Sequence, residues 1–331
     1  MDSSINIEYD IYFYEAFEEE ALAIQRLMPE DIKAGYSWKT IQESGHERPP
    51  AEIISTRTQS KYPAEWSSNL KAILSRSTGY DHLINYKLSS KTASGLGYLP
   101  LYCNRAVAEH AMMLWMALLR KLPQQIKNFD QFHRDGLTGY ECQGKNLSVI
   151  GVGNIGSQIV KIGKGLDMQV RGVDLVHKFA DVEYCNFDEA VSIADIIVCS
   201  MNLTSKNKGF FSYDKLKQSK KGVIFINIAR GELSPINDLL RLIEEHHLGG
   251  LGLDVFENEV SLAHALRNKI TMEDETIKGV LKLSSHQNVI FTPHNAFNTA
   301  ESVERKAEQS VQQVKYFLAH NKFKWTVPEQ D

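Results

Sequence analysis

The stretch Val149–Val160, VIGVGNIGSQIV, constrains the fold more than any other part of the chain. It sets G-x-G-x-x-G, as Gly151, Gly153 and Gly156, after a β-branched run and before a helical apolar pattern. Glycines at that spacing between a strand and a helix mark a βαβ unit whose turn receives a dinucleotide. Gly151 permits the tight turn, Gly153 lets a pyrophosphate approach the main chain, and Gly156 lets helix and strand close up. Helix-opening amides at Asn154 and Ile155 then face the phosphates. Asp174 ends the next strand-like run, QVRGVDLV, at close to the roughly 20-residue spacing expected of a ribose carboxylate. It can accept bonds from both ribose hydroxyls and repels a 2′-phosphate, which favours NAD over NADP.

From Gly144 the same plan repeats. KNLSVIGV, QVRGVDLV, ADIIVCS, KGVIFINIA, LGGLGLDVF and QNVIFTP read as strands, and helical segments separate most of them. Such alternation predicts a parallel, doubly wound α/β sheet. The first hundred residues alternate as well. IEYDIYFY reads as a strand, EAFEEEALAIQRLM as a helix, AEIISTRT and NLKAILSRS as short apolar runs, and TGYDHLI as a glycine turn leading into the next element. Arg105 to Leu122 form a long helix apolar on most sides, as expected of one lying between layers or domains. Its run AMMLWMALL is too short to span a bilayer. The stretch AESVERKAEQSVQQVKYFLAHN is an amphipathic helix, expected to close back onto the first domain.

A chain of 331 residues, 43% hydrophobic and 24% charged, is large enough for two cores. A net charge of −4 argues against a nucleic-acid partner, and no membrane partner is expected. The acidic start MDSSINIEYD does not read as a secretory or transit peptide. Cys103, Cys142, Cys185 and Cys199 are scattered without a CxxC pair, which fits a reduced, cytoplasmic setting; no metal is expected.

A nicotinamide site needs a group that protonates the alkoxide left by hydride transfer, and a cation that binds and polarises an anionic substrate. Three strand ends supply candidates. Arg230 follows VIFINIA, Asp254 and Glu259 follow GGLGL, and His294 follows NVIF within TPHNAFNT. Ligands of open α/β sheets lie beyond the carboxyl ends of the strands, so these groups fall on the same edge as the glycine loop.

The stretches TGYDHL, RAVAEHA, VIGVGNIGSQIV, NIARGEL, LDVFENE and TPHNAF, in this order over roughly residues 50 to 300, resemble the D-isomer-specific 2-hydroxyacid dehydrogenase family. The resemblance implies a Rossmann-type NAD-binding domain, residues 104–297, inserted into a smaller flavodoxin-like substrate domain, residues 1–103 completed by 298–331. It implies His294 as acid/base, Glu259 as the carboxylate that favours its protonated form, and Arg230 as the ligand of carbonyl and carboxylate. It further implies that Asp254 fixes the nicotinamide end, that the Ile228 carbonyl accepts from the carboxamide, and that the Thr78 and Gly79 amides bind the substrate carboxylate. A homodimer formed through the nucleotide domain, with the Arg105–Leu122 helix central, is also implied. Glu257 is expected to be a solvated helix charge, His110 a structural hydrogen-bonding residue, and His82, His246, His247, His264 and His286 surface groups.

Several positions depart from the family pattern. Ser200 and Asn202 stand in CSMNLT where most members carry histidine and proline. The long stretch between Glu259 and His294 is similar to that of fermentative D-lactate dehydrogenases, and LYCNRAVAEH is similar to their tyrosine-containing turn, which implies Tyr102 near the substrate. Arg57 falls where phosphoglycerate dehydrogenases carry a substrate arginine, so a second anionic or polar group on the substrate is one possibility. Thr78 stands where phosphite dehydrogenases carry lysine, and Glu259 is lacking in formate dehydrogenases. The expectation is therefore an NAD-dependent enzyme interconverting a 2-oxo acid and its D-2-hydroxy acid. The alternatives are an NAD(H)-sensing binding protein of the same fold, or a dehydrogenase of another small anion, phosphite or phosphoglycerate-like.

Overall fold

The computed structural model describes residues 8–270 and 273–328. The chain divides into two compact units, Met1–Cys103 with Asn298–Asp331, and Asn104–Phe297.

The first unit runs β1 (Ile11–Phe13), α1 (Glu18–Leu27), β2 (Ala34–Tyr36), α2 (Ile41–Ser44), β3 (Ile53–Thr56), β4 (Ala72–Ser75), α3 (Asp81–Ser90) and β5 (Gly95–Gly97). All five strands are parallel, in the order β2-β1-β3-β4-β5. That order is the flavodoxin-like one. Every residue of β3 and β4 is buried, as expected of central strands covered on both faces. Tyr14, Ile54, Trp66, Ile73 and Leu83 form the core on one side.

The second unit opens with α4 (Asn104–Leu119) and α5 (Leu122–Asn128). It continues with β6 (Asn146–Ile150), α6 (Asn154–Gly165), β7 (Gln169–Val173), α7 (Phe187–Ile193), β8 (Ile196–Cys199) and α8 (Tyr213–Lys217). Then come β9 (Val223–Asn227), α9 (Ile236–Glu244), β10 (Leu248–Leu253), α10 (Glu259–Asn268), α11 (Glu275–Ser284) and β11 (Val289–Phe291). Its six strands are parallel in the order β11-β10-β9-β8-β6-β7, a Rossmann-type doubly wound sheet whose order reverses between β6 and β8. β8 and β9 are buried throughout, and Phe211, Phe225, Leu239 and Leu251 fill one face. On the other face α4 lies against β9 and β10. Glycines in β10 admit it: a Cβ at Gly252 would lie 3.2 Å from Leu114 Cβ and 2.7 Å from Ile226 Cδ1.

The helix expected from Arg105 to Leu122 breaks earlier. Lys121 adopts a left-handed φ of 51°, and Tyr140 N donates to the Leu119 carbonyl at 2.9 Å. A separate short helix, α5, then starts with proline in its first turn.

The last helix, α12 (Ala300–His320), belongs to the first unit. Thr299 caps it by accepting from Ser302 N at 3.2 Å. Its buried face, with Val303, Ala307, Val311 and Val314, packs against α1, and Arg26 pairs with Glu304 at the margin.

Candidate active site

In the second unit, the β6 end carries the glycine loop. Gly151 has a φ of +94°, and a Cβ there would fall 2.6 Å from Met201 N, so turn geometry and close approach both require glycine. A Cβ on Gly156 would lie 2.1 Å from the Gly151 carbonyl oxygen. The close approach at Gly156 is thus between helix and loop, whereas Gly163 is where α6 meets the β6 side chain of Leu147. At Gly153, which caps α6, a Cβ would meet nothing within 4 Å. That open space lies over the amide end of a 12-residue helix, at the point where the strand order reverses. Such a cradle fits a dinucleotide's pyrophosphate.

Asp174 follows β7. Its Oδ2 accepts from Val152 N at 2.6 Å and its Oδ1 from Val176 N at 3.0 Å. The carboxylate is thereby oriented by the glycine loop, and each oxygen keeps a further lone pair for a ribose hydroxyl. Ser200 has a role the sequence does not signal: its hydroxyl donates to the Gly151 carbonyl at 2.6 Å and locks the turn. The Asn202 carbonyl accepts from Asn207 Nδ2 at 2.8 Å.

The ends of β9, β10 and β11, neighbours in the sheet, hold the other candidates together. Asn227, buried at the end of β9, shapes the Arg230 loop: Nδ2 donates to the Arg230 carbonyl and to Ser234 Oγ, and Oδ1 accepts from Ala229 N. Arg230 Nη1 donates to the Ala229 carbonyl at 2.8 Å. Ile228, buried in the same turn, donates its N–H to the Cys199 carbonyl at 3.4 Å. Gly231 brings this loop against the one after β10, since a Cβ there would lie 1.9 Å from the Phe256 carbonyl carbon.

His294 Nδ1 lies 2.8 and 2.9 Å from the two Glu259 oxygens, with both side chains about a quarter exposed. The carboxylate fixes Nδ1 as the protonated nitrogen and leaves Nε2 outside this contact. His294 adopts a φ of +52°, uncommon for a residue with a Cβ. Asp254 holds that strained turn. It is 1% exposed, and its carboxylate accepts from Thr292 Oγ1 (2.6 Å), Asn295 N (2.9 Å) and Ala296 N (3.0 Å). His110 Nε2 lies 2.9 Å from Thr292 Oγ1 and 3.6 Å from Asp254 Oδ1, within the same group of contacts. Burial pulls the His110 ring below the ordinary histidine range, opposed by Asp254.

Three expectations about surface groups, Glu257, His247 and His82, need correction. Glu257 is half-buried and its Oε2 accepts from Ile236 N at 3.0 Å, so it serves the orphan amides opening α9 rather than standing in solvent. His247 is buried, with Nε2 3.1 Å from the Leu216 carbonyl and 3.2 Å from Ser219 Oγ; desolvation lowers its pKa. His82 is half-buried against Ser75 Oγ at 2.9 Å and His286 is partly covered, while His246 and His264 are exposed.

The remaining candidates lie in the first unit. Thr78 and Gly79 sit in the turn after β4; Thr78 Oγ1 donates to the Leu99 carbonyl at 3.2 Å, and the Gly79 carbonyl accepts from Ser77 Oγ at 2.6 Å. Arg76, fully buried, anchors this turn by donating to Ser55 Oγ and the Tyr14 carbonyl. Tyr102 is 4% exposed, and burial, followed by neighbouring Cys103, pushes its phenol well above the usual range. Arg57 is half-buried with its guanidinium over the Phe17 ring at 5.7 Å.

Residues 112–296 match the family model described as D-isomer specific 2-hydroxyacid dehydrogenase, NAD binding domain. The chain is 32% identical to the D-lactate dehydrogenase of Streptococcus agalactiae over 254 residues, 75% of this chain and 76% of that one. It is 32% identical to the Escherichia coli D-lactate dehydrogenase, over 73% of this chain and 74% of that one. Among solved structures, the Aquifex aeolicus D-lactate dehydrogenase complexed with NAD and lactic acid superposes with a TM-score of 0.82 at 28% identity, covering 93% of this chain and 95% of that one. With its glycine loop, its Asp174 and its strand-end histidine in the matched domain, the chain belongs to the D-isomer-specific 2-hydroxyacid dehydrogenase family, as an NAD-dependent oxidoreductase of 2-hydroxy acids.

Proposed function

We propose that the chain reduces a small 2-oxo acid to its D-2-hydroxy acid, and runs the reverse, with His294 as acid/base. One observation carries this reading: His294 Nδ1 is held by both oxygens of Glu259 in a strained turn at the strand edge that bears the glycine loop. When bound, NADH would supply the hydride. His294 Nε2 delivers the proton to the carbonyl oxygen, and Glu259 stabilises the imidazolium before that transfer. Arg230 binds the carbonyl and carboxylate oxygens, a two-pronged task suited to a planar guanidinium. Thr78 and Gly79 offer amides to the carboxylate, and Tyr102 and Arg57 border the substrate. Asp174 takes the ribose hydroxyls; Gly153, Asn154 and Ile155 take the pyrophosphate; Asp254 and the Ile228 carbonyl serve the nicotinamide end. In this reading the first unit is the substrate domain and the protein is a homodimer centred on α4, where Met113 and Met116 are exposed.

Relatives named D-lactate dehydrogenase, and one from Clostridium sporogenes named aromatic 2-oxoacid reductase, support a 2-oxo acid whose side chain varies. The test is NADH consumption with a panel of 2-oxo acids, including pyruvate, glyoxylate and phenylpyruvate, beside His294→Ala and Arg230→Lys. Turnover abolished in the first and strongly reduced in the second supports the reading. Undiminished turnover in both sinks it.

A further inference from the structure

His82, in the first turn of α3, heads a chain of hydrogen bonds that runs back into the turn after β4. His82 Nε2 lies 2.9 Å from Ser75 Oγ, and Ser75 Oγ lies 2.6 Å from Ser77 Oγ. Ser77 Oγ in turn donates to the Gly79 carbonyl at 2.6 Å. The far end fixes the direction of every link. A carbonyl only accepts, so the one hydroxyl proton of Ser77 is spent on Gly79. Ser77 then accepts from Ser75, and Ser75, its own proton spent, accepts from His82. His82 is therefore protonated on Nε2, and the chain runs one way, from the imidazole to the Gly79 carbonyl. Ser55, on the neighbouring strand and as buried as Ser75, shows the simpler alternative: its hydroxyl donates straight to the Leu74 carbonyl at 2.9 Å. Ser75 spends its proton on a side chain that leads into the turn.

Both ends of the chain are held. The His82 ring lies nearly parallel to that of Tyr62, with centres 6.4 Å apart and an angle of 12° between planes. The Tyr62 hydroxyl is 2.6 Å from Thr56 Oγ1, on a fully buried residue of β3. At the turn, Leu99 N donates to the Ser77 carbonyl at 3.1 Å. A trans peptide plane carries its C=O and N–H in opposite directions. Pinning the Ser77 carbonyl on Leu99 therefore aims the Thr78 N–H, and pinning the Gly79 carbonyl on Ser77 fixes the plane next but one. The peptide that bears the Gly79 N–H lies between these two planes and is restrained from both sides.

We propose that His82, Ser75 and Ser77 are positioning residues, a one-way hydrogen-bond chain that aims the Thr78 and Gly79 amides at the substrate carboxylate. The inference rests on the reading above, in which those two amides bind that carboxylate. His82 acts on affinity for the 2-oxo acid through the two serines. Each hydroxyl is a better donor for accepting from the group before it, so loss of the imidazole weakens every later link.

The experiment measures KM and kcat with a 2-oxo acid that the wild type turns over, alongside the Kd for NADH. His82→Leu is expected to raise KM about fivefold, the scale of one net hydrogen bond. kcat should stay within about twofold, as for an interaction made equally in ground and transition states. NADH affinity should not change, since the residues given to NADH in that reading lie in the other unit. His82→Gln, whose side-chain amide can donate from near the Nε2 position, should return KM to within about twofold of the wild type. Ser77→Ala should raise KM as His82→Leu does, and the double variant should be no worse than either, because both act through the Gly79 carbonyl. Should His82→Leu fail to fold, Ser77→Ala and Ser75→Ala decide in its place. An unchanged KM in the leucine and alanine variants overturns the inference and leaves the 2-oxo acid reading standing. Effects that multiply in the double variant, to about 25-fold, also overturn it, since they make the sites independent. Absence of turnover with every 2-oxo acid, in wild-type protein that binds NADH, sinks the underlying reading and the inference with it.

Discussion

Replacing Asp254 with asparagine tests whether this carboxylate holds the His294 turn. Three donors converge on it, Thr292 Oγ1 and Asn295 N on Oδ1 and Ala296 N on Oδ2. An asparagine can put its oxygen on only one side. With the oxygen kept towards Thr292 and Asn295, its NH₂ faces the Ala296 amide, donor against donor. Losing a bond to a charged group and orphaning a buried amide together cost about 3 kcal/mol. Volume is unchanged, so no packing term obscures the result. The assay is amide hydrogen exchange of the peptide containing Asn295 and Ala296, whose exchange should quicken about 100-fold in Asp254→Asn. Turnover should fall as well, because His294 sits between the restrained residues. Exchange within about threefold of the wild type would refute the reasoning, since no term in it is that small.

Gly153→Ala should leave stability unchanged, its Cβ meeting open space, yet weaken NADH binding by about tenfold or more by standing in the pyrophosphate cradle; equal affinity would place the cofactor elsewhere. Gly156→Ala, whose Cβ would press on the Gly151 carbonyl at 2.1 Å, should lower both melting temperature and NADH affinity, measured by thermal shift with and without cofactor. Glu20 gives a pH prediction. Burial alone would raise its pKa, but Arg76, Lys306 and Arg57 outweigh that and hold it at about 2. Because its folded value lies below the unfolded one, its stabilisation is complete above about pH 4.5 and drains away as pH falls towards 2, by about 3 kcal/mol in all. Chemical denaturation across that window should show this slope in the wild type and a shallower one in Glu20→Gln. Gly231→Ala should damage both fold and turnover, since its Cβ would strike the backbone of Phe256 at 1.9 Å.

Much of the architecture was legible in the sequence. The strands with β-branched runs, β3, β4 and β6 to β11, stand where the apolar patterns place them, and the strand-end positions of Arg230, Glu259 and His294 follow from that. β2 and β5 were not legible. They are the three-residue stretches AGY and GLG, where no periodicity exists to be read. Their glycines are required by neighbours distant in sequence: a Cβ at Gly97 would lie 2.5 Å from the Phe323 ring, and one at Gly35 2.4 Å from the Tyr12 ring. The early end of α4 depends on Tyr140 reaching back to the Leu119 carbonyl, a tertiary contact. Around the site, ionisable residue types were visible but their partners were not. Glu257 and Glu259 are two residues apart in one acidic stretch, yet one serves the opening of α9 and the other His294. Asn227 left a readable trace, a polar residue closing an apolar strand. The Ser200 bond to the Gly151 carbonyl joins segments 49 residues apart and left none.

The most direct test of the account is the configuration of the product. The enzyme, NADH and a 2-oxo acid that it turns over are incubated, and the 2-hydroxy acid is resolved by chiral chromatography. The account predicts the D isomer alone, formed in step with NADH consumed and absent with His294→Ala. Accumulation of the L isomer or a racemate, or product formed equally well by His294→Ala, would contradict it.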